Sequence, residues 1–199
     1  MTTLSTNTQA STEHQMEGHG GHPDFRLFGL ATFLVADGMT FAGFFAAYLT
    51  LRAVNPLPTG SSYELELLLP TINTLLLLVS SLTFHRAGSA LKAGNNPLCR
   101  RWLVLTAALG FTFLAGKMKE YFSLPFGLTD NLFASTFYAI TGFHGLHVTL
   151  GAIMLVVIWF RTMKGHFTPQ RHFGFEAVAW YWHFVDVVWL GLFVFVYWV

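Results

Sequence analysis

The sequence predicts an all-α integral membrane protein: a bundle of five transmembrane helices, with the N-terminus cytoplasmic and the C-terminus outside. Three observations predict it. Of the 199 residues, 53% are hydrophobic and 11% are charged, against about 25% charged in an ordinary soluble domain. The apolar residues fall into five runs, each close to the roughly 20 residues that a helix needs to cross a hydrocarbon core. Short stretches rich in Pro, Gly and Asn separate the runs. So much of the chain is absorbed by crossings that no separate soluble catalytic domain fits. The formal net charge of +1 provides no broad basic surface, which excludes nucleic acid as a partner. Cys99 is the only cysteine, so neither an intrachain disulfide nor a thiolate cluster can form.

Residues 1–24 form a polar tail containing His and Gly, without the apolar run and small-residue cleavage site of a signal peptide. The five-helix domain spans 25–199. Its first crossing runs from Phe25 to about Leu51 and is broken by Asn55-Pro56-Leu57-Pro58, because proline lacks a donor N–H. The second runs from about Leu67 to Leu91, with Pro70 in the first turn, where a missing N–H is harmless. Gly94-Asn95-Asn96-Pro97 reads as a turn, and Arg101 leads into the third crossing, Trp102 to about Phe122. That apolar stretch is short, so Lys117, Lys119 and Glu120 are expected to snorkel toward one interface. Pro125-Phe126-Gly127 precedes the fourth crossing, about Asn131 to Phe160, and the fifth covers Phe173 to Val199. The fourth is long enough to tilt.

Loop charge orients the bundle, since Lys and Arg are enriched on the cytoplasmic side. Five crossings put Arg26, Arg86, Lys92, Arg100, Arg101, Arg161, Lys164 and Arg171 on one side, and Arg52, Lys117 and Lys119 on the other. This imbalance is what places the N-terminus inside.

An ionisable group inside a bilayer costs about 2.5–3.5 kcal/mol on insertion scales, so each needs a partner or a task. Asp37 lies about 18 Å into the first helix at 1.5 Å per residue, near the midplane. It serves there either as a proton-linked or lipid-facing acid or as a neutral acid hydrogen-bonded between helices. His144 and His147 are three residues apart and share a helix face. The same spacing suits two metal ligands or, with no Glu-x-x-His beside them, two hydrogen-bonding core histidines. Glu176, His183 and Asp186 fall on one stripe of the last helix. With His144, His147 and Glu120 they are expected to form an intramembrane polar network, and Lys117 and Glu120 can pair at i,i+3. The loop Arg161 to Arg171, followed by His172, suits an anionic lipid head group at the cytoplasmic boundary, or simply fixes topology.

One stretch is more specific. His172-Phe-Gly-Phe-Glu-Ala-Val-Ala-Trp-Tyr-Trp-His-Phe-Val-Asp-Val-Val-Trp189 closely resembles the C-terminal signature of subunit III of haem–copper cytochrome c oxidases. Thr141-Gly-Phe-His-Gly-Leu-His-Val148 in the fourth helix, and Leu109-Gly110, Phe113 and Glu120-Tyr121 in the third, follow the family's order and spacing. So do Asn73-Thr74 through Ser80-Ser81 in the second, and Phe41-Ala-Gly-Phe-Phe45 in the first. The long form of that family has seven helices, and the five here correspond to its last five, as in short bacterial forms. Asp37 occupies the position of a buried acid that is usually glutamate. Lys117 occupies that of a glutamine.

The resemblance implies a multi-pass subunit of a bacterial plasma membrane or an internal respiratory or thylakoid-type membrane. It implies a subunit with no catalytic residues and no cofactor or metal of its own, packed on catalytic subunit I and near subunit II, with haem and copper in those partners and cytochrome c or a similar donor docking elsewhere. It further implies bound phospholipid, with Arg161, Arg171 and His172 at the head group and Asp37 near the lipid cleft, and support of proton uptake while oxygen is reduced to water. The Phe173-Gly-Phe-Glu176 and Trp180-Tyr-Trp182 segments are more similar to the cytochrome c branch than to the related quinol oxidases. From the residues alone, two other functions stay open. One is a membrane metalloenzyme using His144, His147, Glu176, His183 and Asp186 as ligands. The other is a proton-linked transporter relaying protons through Asp37 and Glu176.

Overall fold

The computed structural model describes residues 25–54, 67–168, 170 and 172–198. These form five helices: α1 (Phe25–Val54), α2 (Leu68–Lys92), α3 (Asn96–Ser123), α4 (Leu132–Met163) and α5 (Phe173–Tyr197). All five are long and apolar enough to cross a membrane.

Local chemistry sets the helix ends. Gly94 (φ 75°) and Gly165 (φ 70°) follow α2 and α4 in the left-handed conformation that glycine adopts without strain. The third helix begins earlier than the turn-like Gly94-Asn95-Asn96-Pro97 suggested. The Asn95 side chain caps α3 by accepting from the Leu98 N–H, and Pro97 sits within the first turn, where its missing donor costs nothing. Asn131 caps α4 in the same way through the Ala134 N–H.

The helices α2, α3, α4 and α5 pack in a ring of neighbours, and α1 leans on α4 and α5 from outside. Trp182 of α5 lies at the centre of the ring, fully buried. Its ring fits between Gly110 of α3 and Gly151 of α4, where an added Cβ would come within 2.7 Å and 2.8 Å of it. The indole N–H donates to Ser80 Oγ at 3.1 Å, and one level further along α5 the Trp189 N–H donates to Thr74 Oγ1 at 2.9 Å. Small residues that let helices approach and hydroxyls that satisfy buried donors are the means by which helices associate in lipid, where hydrophobic burial offers little.

Topology brings the start of α1, the end of α2, the start of α3, the end of α4 and the start of α5 to one end of the bundle. Lys92 at the end of α2 meets Glu176 at the start of α5 there, at 3.0 Å.

Candidate functional site

The ionisable residues inside the bundle are distributed over separate sites. At mid-membrane, Asp37 of α1 has a side chain only 13% exposed, and its Oδ1 lies 3.2 Å from Nε2 of His147 on α4. His147 Nδ1 lies 2.8 Å from the Phe143 carbonyl oxygen. A carbonyl only accepts, so Nδ1 carries a hydrogen. The Nε2–Oδ1 contact then holds one further proton, on the imidazole or on the carboxyl, and the pair is neutral overall either way. Phe41 and Phe143 wall the imidazole with ring centroids 5.0 Å and 4.6 Å away.

A second site lies between α2 and α5. Ser81 Oγ is 2.7 Å from His183 Nδ1, and its hydroxyl donates to Asp186 Oδ2. Asp186 is buried, with Oδ1 lacking a partner among the described residues.

A third ties α3 to the end of α5. Lys117 Nζ donates to Glu120 Oε2 at 2.9 Å and to the Tyr197 hydroxyl at 2.8 Å, and that hydroxyl in turn donates to Glu120 Oε1. The rings of Tyr121, Phe137, Trp189 and Tyr197 surround the ammonium at 5.1 to 5.6 Å from their centroids. Lys117 and Glu120 form the i,i+3 pair expected from their spacing, but Lys117 is 5% exposed and points into the bundle, so it does not snorkel. Aromatic faces, a carboxylate and a phenol replace the water it would otherwise seek.

The stripe Glu176, His183, Asp186 is therefore divided. Glu176 lies in the first turn of α5 and is held by Lys92 and by His172 Nε2 at 3.1 Å, at the surface of the bundle. His183 and Asp186 lie two turns deeper and face α2. His144 and His147 separate as well: His147 turns to α1, whereas His144 faces α3 and α5, stacked on Trp189 at 5.2 Å with neither ring nitrogen bonded among the described residues. No three His, Cys, Asp or Glu side chains converge as metal ligands among the described residues.

At the charged end of the bundle, a cleft of about 510 Å³ is lined by Arg26, Arg161, His166, Phe167 and His172, among others. The Arg161 guanidinium lies over the Phe167 ring at 5.3 Å. Arg161 and His172, eleven residues apart in the chain, thus share one concavity. Arg171, grouped with them in the sequence, lies outside the described residues.

Comparison with known proteins bears on all of these residues together. The family model described as cytochrome c oxidase subunit III matches residues 4–199. The chain is 49% identical to cytochrome c oxidase subunit 3 of Synechocystis sp. over 98% of its own length and 85% of that protein. It is 43% identical to the subunit 3 of Thermostichus vulcanus, over 98% and 96%, and 44% identical to that of Neotragus moschatus, over 86% and 68%. The chain belongs to the cytochrome c oxidase subunit III family. It is accordingly part of an oxidoreductase complex with other oxidase subunits, and a multi-pass protein of the plasma or thylakoid membrane.

Within this subunit III, two participants escaped sequence reasoning. Ser81 bridges His183 and Asp186, and Tyr197 closes the Lys117–Glu120 pair from 80 residues away. The Ser80-Ser81 pair inside a Leu-rich helix was the available signal for the first. Nothing in the sequence pointed to Tyr197.

Proposed function

We propose that this subunit carries no redox centre, stabilises catalytic subunit I, holds a phospholipid by its head group and sustains proton uptake during oxygen reduction. Haem and copper belong to the partner subunits, and cytochrome c docks elsewhere in the complex. The observation that carries the reading is the cleft gathering Arg26, Arg161 and His172 at the charged end of the bundle. A guanidinium offers paired N–H donors that match two phosphate oxygens, and histidine adds a ring donor. Phe167 and Phe173 supply an apolar wall toward the acyl chains. Loop charge puts this end at the cytoplasmic leaflet, where anionic lipid is concentrated. Arg171 belongs to the same head-group set in this reading.

The Asp37–His147 pair supports the second half of the proposal. The pair is neutral while it holds its shared proton, which avoids two isolated charges in the bilayer, and that proton is the one it would release, to be replaced by another before the carboxylate is again neutralised. The remaining intramembrane polar groups support an architectural role, since Glu120, His183 and Asp186 each bond to a neighbouring helix or to their own turn.

Lipid content and turnover lifetime of the purified oxidase carrying Arg161→Gln test this. The expected result is one phospholipid fewer per complex by native mass spectrometry, together with faster inactivation during turnover. A variant complex with the full lipid complement and the normal lifetime refutes the lipid assignment.

A further inference from the structure

The charged end of the bundle carries a second concavity, on a different face from the Arg161 cleft. A groove of about 580 Å³ between the start of α3 and the end of α4 is lined by Pro97, Arg100, Arg101, Val104, Trp159 and Met163. Trp159 and Arg161 stand two residues apart on α4, about 200° around its axis, so groove and cleft open on different sides of that helix. Arg100 is half-buried, and its Nε donates to the Asn96 carbonyl oxygen at 3.3 Å, which holds the side chain at the helix start. Arg101 beside it is exposed. Neither forms an ion pair among the described residues. Glu176, the one described carboxylate at this end, is taken by Lys92 and His172.

Helix length sets the height of these groups. The 28 residues of α3 span about 42 Å at 1.5 Å per residue, against a hydrocarbon core of about 30 Å, so each end reaches about 6 Å beyond it. Arg100 and Arg101, four and five residues from the start of α3, therefore lie at the head-group boundary, and Val104, 50% exposed, lies about one turn deeper. Trp159, four residues before the end of α4, adds an indole near the same boundary, where tryptophan is enriched. From the surface inward the groove presents guanidinium, indole and aliphatic groups, the order in which a phospholipid presents head group, glycerol and acyl chain.

Charge needed only to orient the chain could sit anywhere in the α2–α3 turn. Here two guanidinium groups without a carboxylate partner stand over an apolar groove, in the leaflet to which loop charge assigns this end and where anionic lipid is concentrated. A helix of another chain would have to bring an acid to the same height, whereas an anionic lipid carries one there by its own anatomy. We propose that the α3–α4 groove binds one anionic phospholipid of the cytoplasmic leaflet, its phosphate held by Arg100 and Arg101 and an acyl chain laid along Trp159 and Val104. The site is separate from the Arg161 cleft and does not depend on it.

The test uses the whole oxidase, reconstituted in nanodiscs of phosphatidylcholine with a minor fraction of phosphatidylglycerol. A benzophenone photocrosslinker incorporated at Val104, with both arginines intact, is expected to label phosphatidylglycerol at least threefold above its bulk share, read by mass spectrometry of the adduct. Adducts with the two lipids in their bulk proportion, or with another protein chain, overturn the proposal. In parallel, native mass spectrometry of the oxidase carrying Arg100→Gln and Arg101→Gln together is expected to count one phospholipid fewer per retained copy of this chain than wild type. Arg161→Gln removes a different lipid, so the combined variant is expected to lose two. A combined variant that loses no more than Arg161→Gln alone overturns the groove site and leaves the cleft assignment standing. The reverse pattern, loss with the Arg100 and Arg101 changes and none with Arg161→Gln, refutes the cleft and supports the groove.

Discussion

The Asp37 carboxylate on α1 meets the His147 imidazole on α4 with Oδ1 and Nε2 3.2 Å apart, and this contact links the outlying helix to the bundle at mid-membrane. The geometry divides two roles that one residue combines. Asp37→Asn keeps an N–H donor for a neutral His147 Nε2 and removes the exchangeable proton; Asp37→Ala removes both. If the pair serves proton supply, both variants lower proton uptake and shorten turnover lifetime, and Asn leaves stability near wild type. If the pair is a tether, Ala alone is impaired. Stopped-flow proton uptake and activity decay, measured side by side, distinguish these outcomes. Wild-type behaviour of Asp37→Ala in both assays eliminates a functional role.

Trp182 is clamped from two sides, which makes Gly151 intolerant of even a methyl group. A Cβ there would lie 2.8 Å and 2.9 Å from two atoms of the indole, whose opposite edge is already pressed on Gly110. Overpacking of this kind costs about 1–3 kcal/mol. Gly151→Ala is expected to lower the thermal midpoint of the detergent-solubilised oxidase, seen as earlier loss of this chain. Gly29→Ala, with nothing within 4 Å of the added atom, is expected to leave the midpoint unchanged or raise it slightly, since glycine is a poor helix former. Equal midpoints for the two variants exclude the clamp.

Lys117 and Glu120 test whether a buried pair stabilises or merely tolerates itself. Both are nearly inaccessible, and Lys117 also hydrogen-bonds the Tyr197 hydroxyl. Removing one partner strands the other charge, at a cost of about 3–5 kcal/mol, whereas replacing both by neutral groups of similar size is often close to neutral. Lys117→Met is therefore expected to be strongly destabilising alone and largely rescued by a second change, Glu120→Gln. A double-mutant cycle on thermal stability measures the coupling. Additive effects of the two changes rule out a coupled pair.

These relationships show what sequence can and cannot supply. Five crossings were legible because spanning a bilayer imposes a length and a composition that local residues must meet. The start of α3 was misplaced because Asn95 and Pro97 carry turn chemistry and capping chemistry at once, and only the N–H groups that follow decide between them. Periodicity put Glu176, His183 and Asp186 on one stripe, but a stripe has length. Its outer end reached Lys92 and its inner part reached Ser81, and periodicity within α5 contains no information on what lies opposite. The Lys117 error has the same origin. A lysine near the end of a short apolar run reads as interfacial until Tyr197 and four aromatic faces are known to be there.

The Trp189 indole N–H donates to Thr74 Oγ1 while its ring stacks on His144, so one side chain joins α5 to α2 and α4 by two different forces. The forces can be separated. Thr74→Val removes the acceptor and leaves the stack, and hydrogen bonds between membrane helices average about 0.6 kcal/mol, with about 1.7 the largest measured. Trp189→Leu removes both, and large-to-small changes of a buried aromatic cost about 3–5 kcal/mol when truncated fully to Ala. Thr74→Val is thus expected to shift the thermal midpoint by a small fraction of the shift caused by Trp189→Leu. In the Trp189→Leu background, Thr74→Val should add nothing, because no donor remains to be stranded. A large effect of Thr74→Val by itself would mean that the buried indole N–H finds no other acceptor, and that the polar pairing outweighs the packing at this level of the bundle.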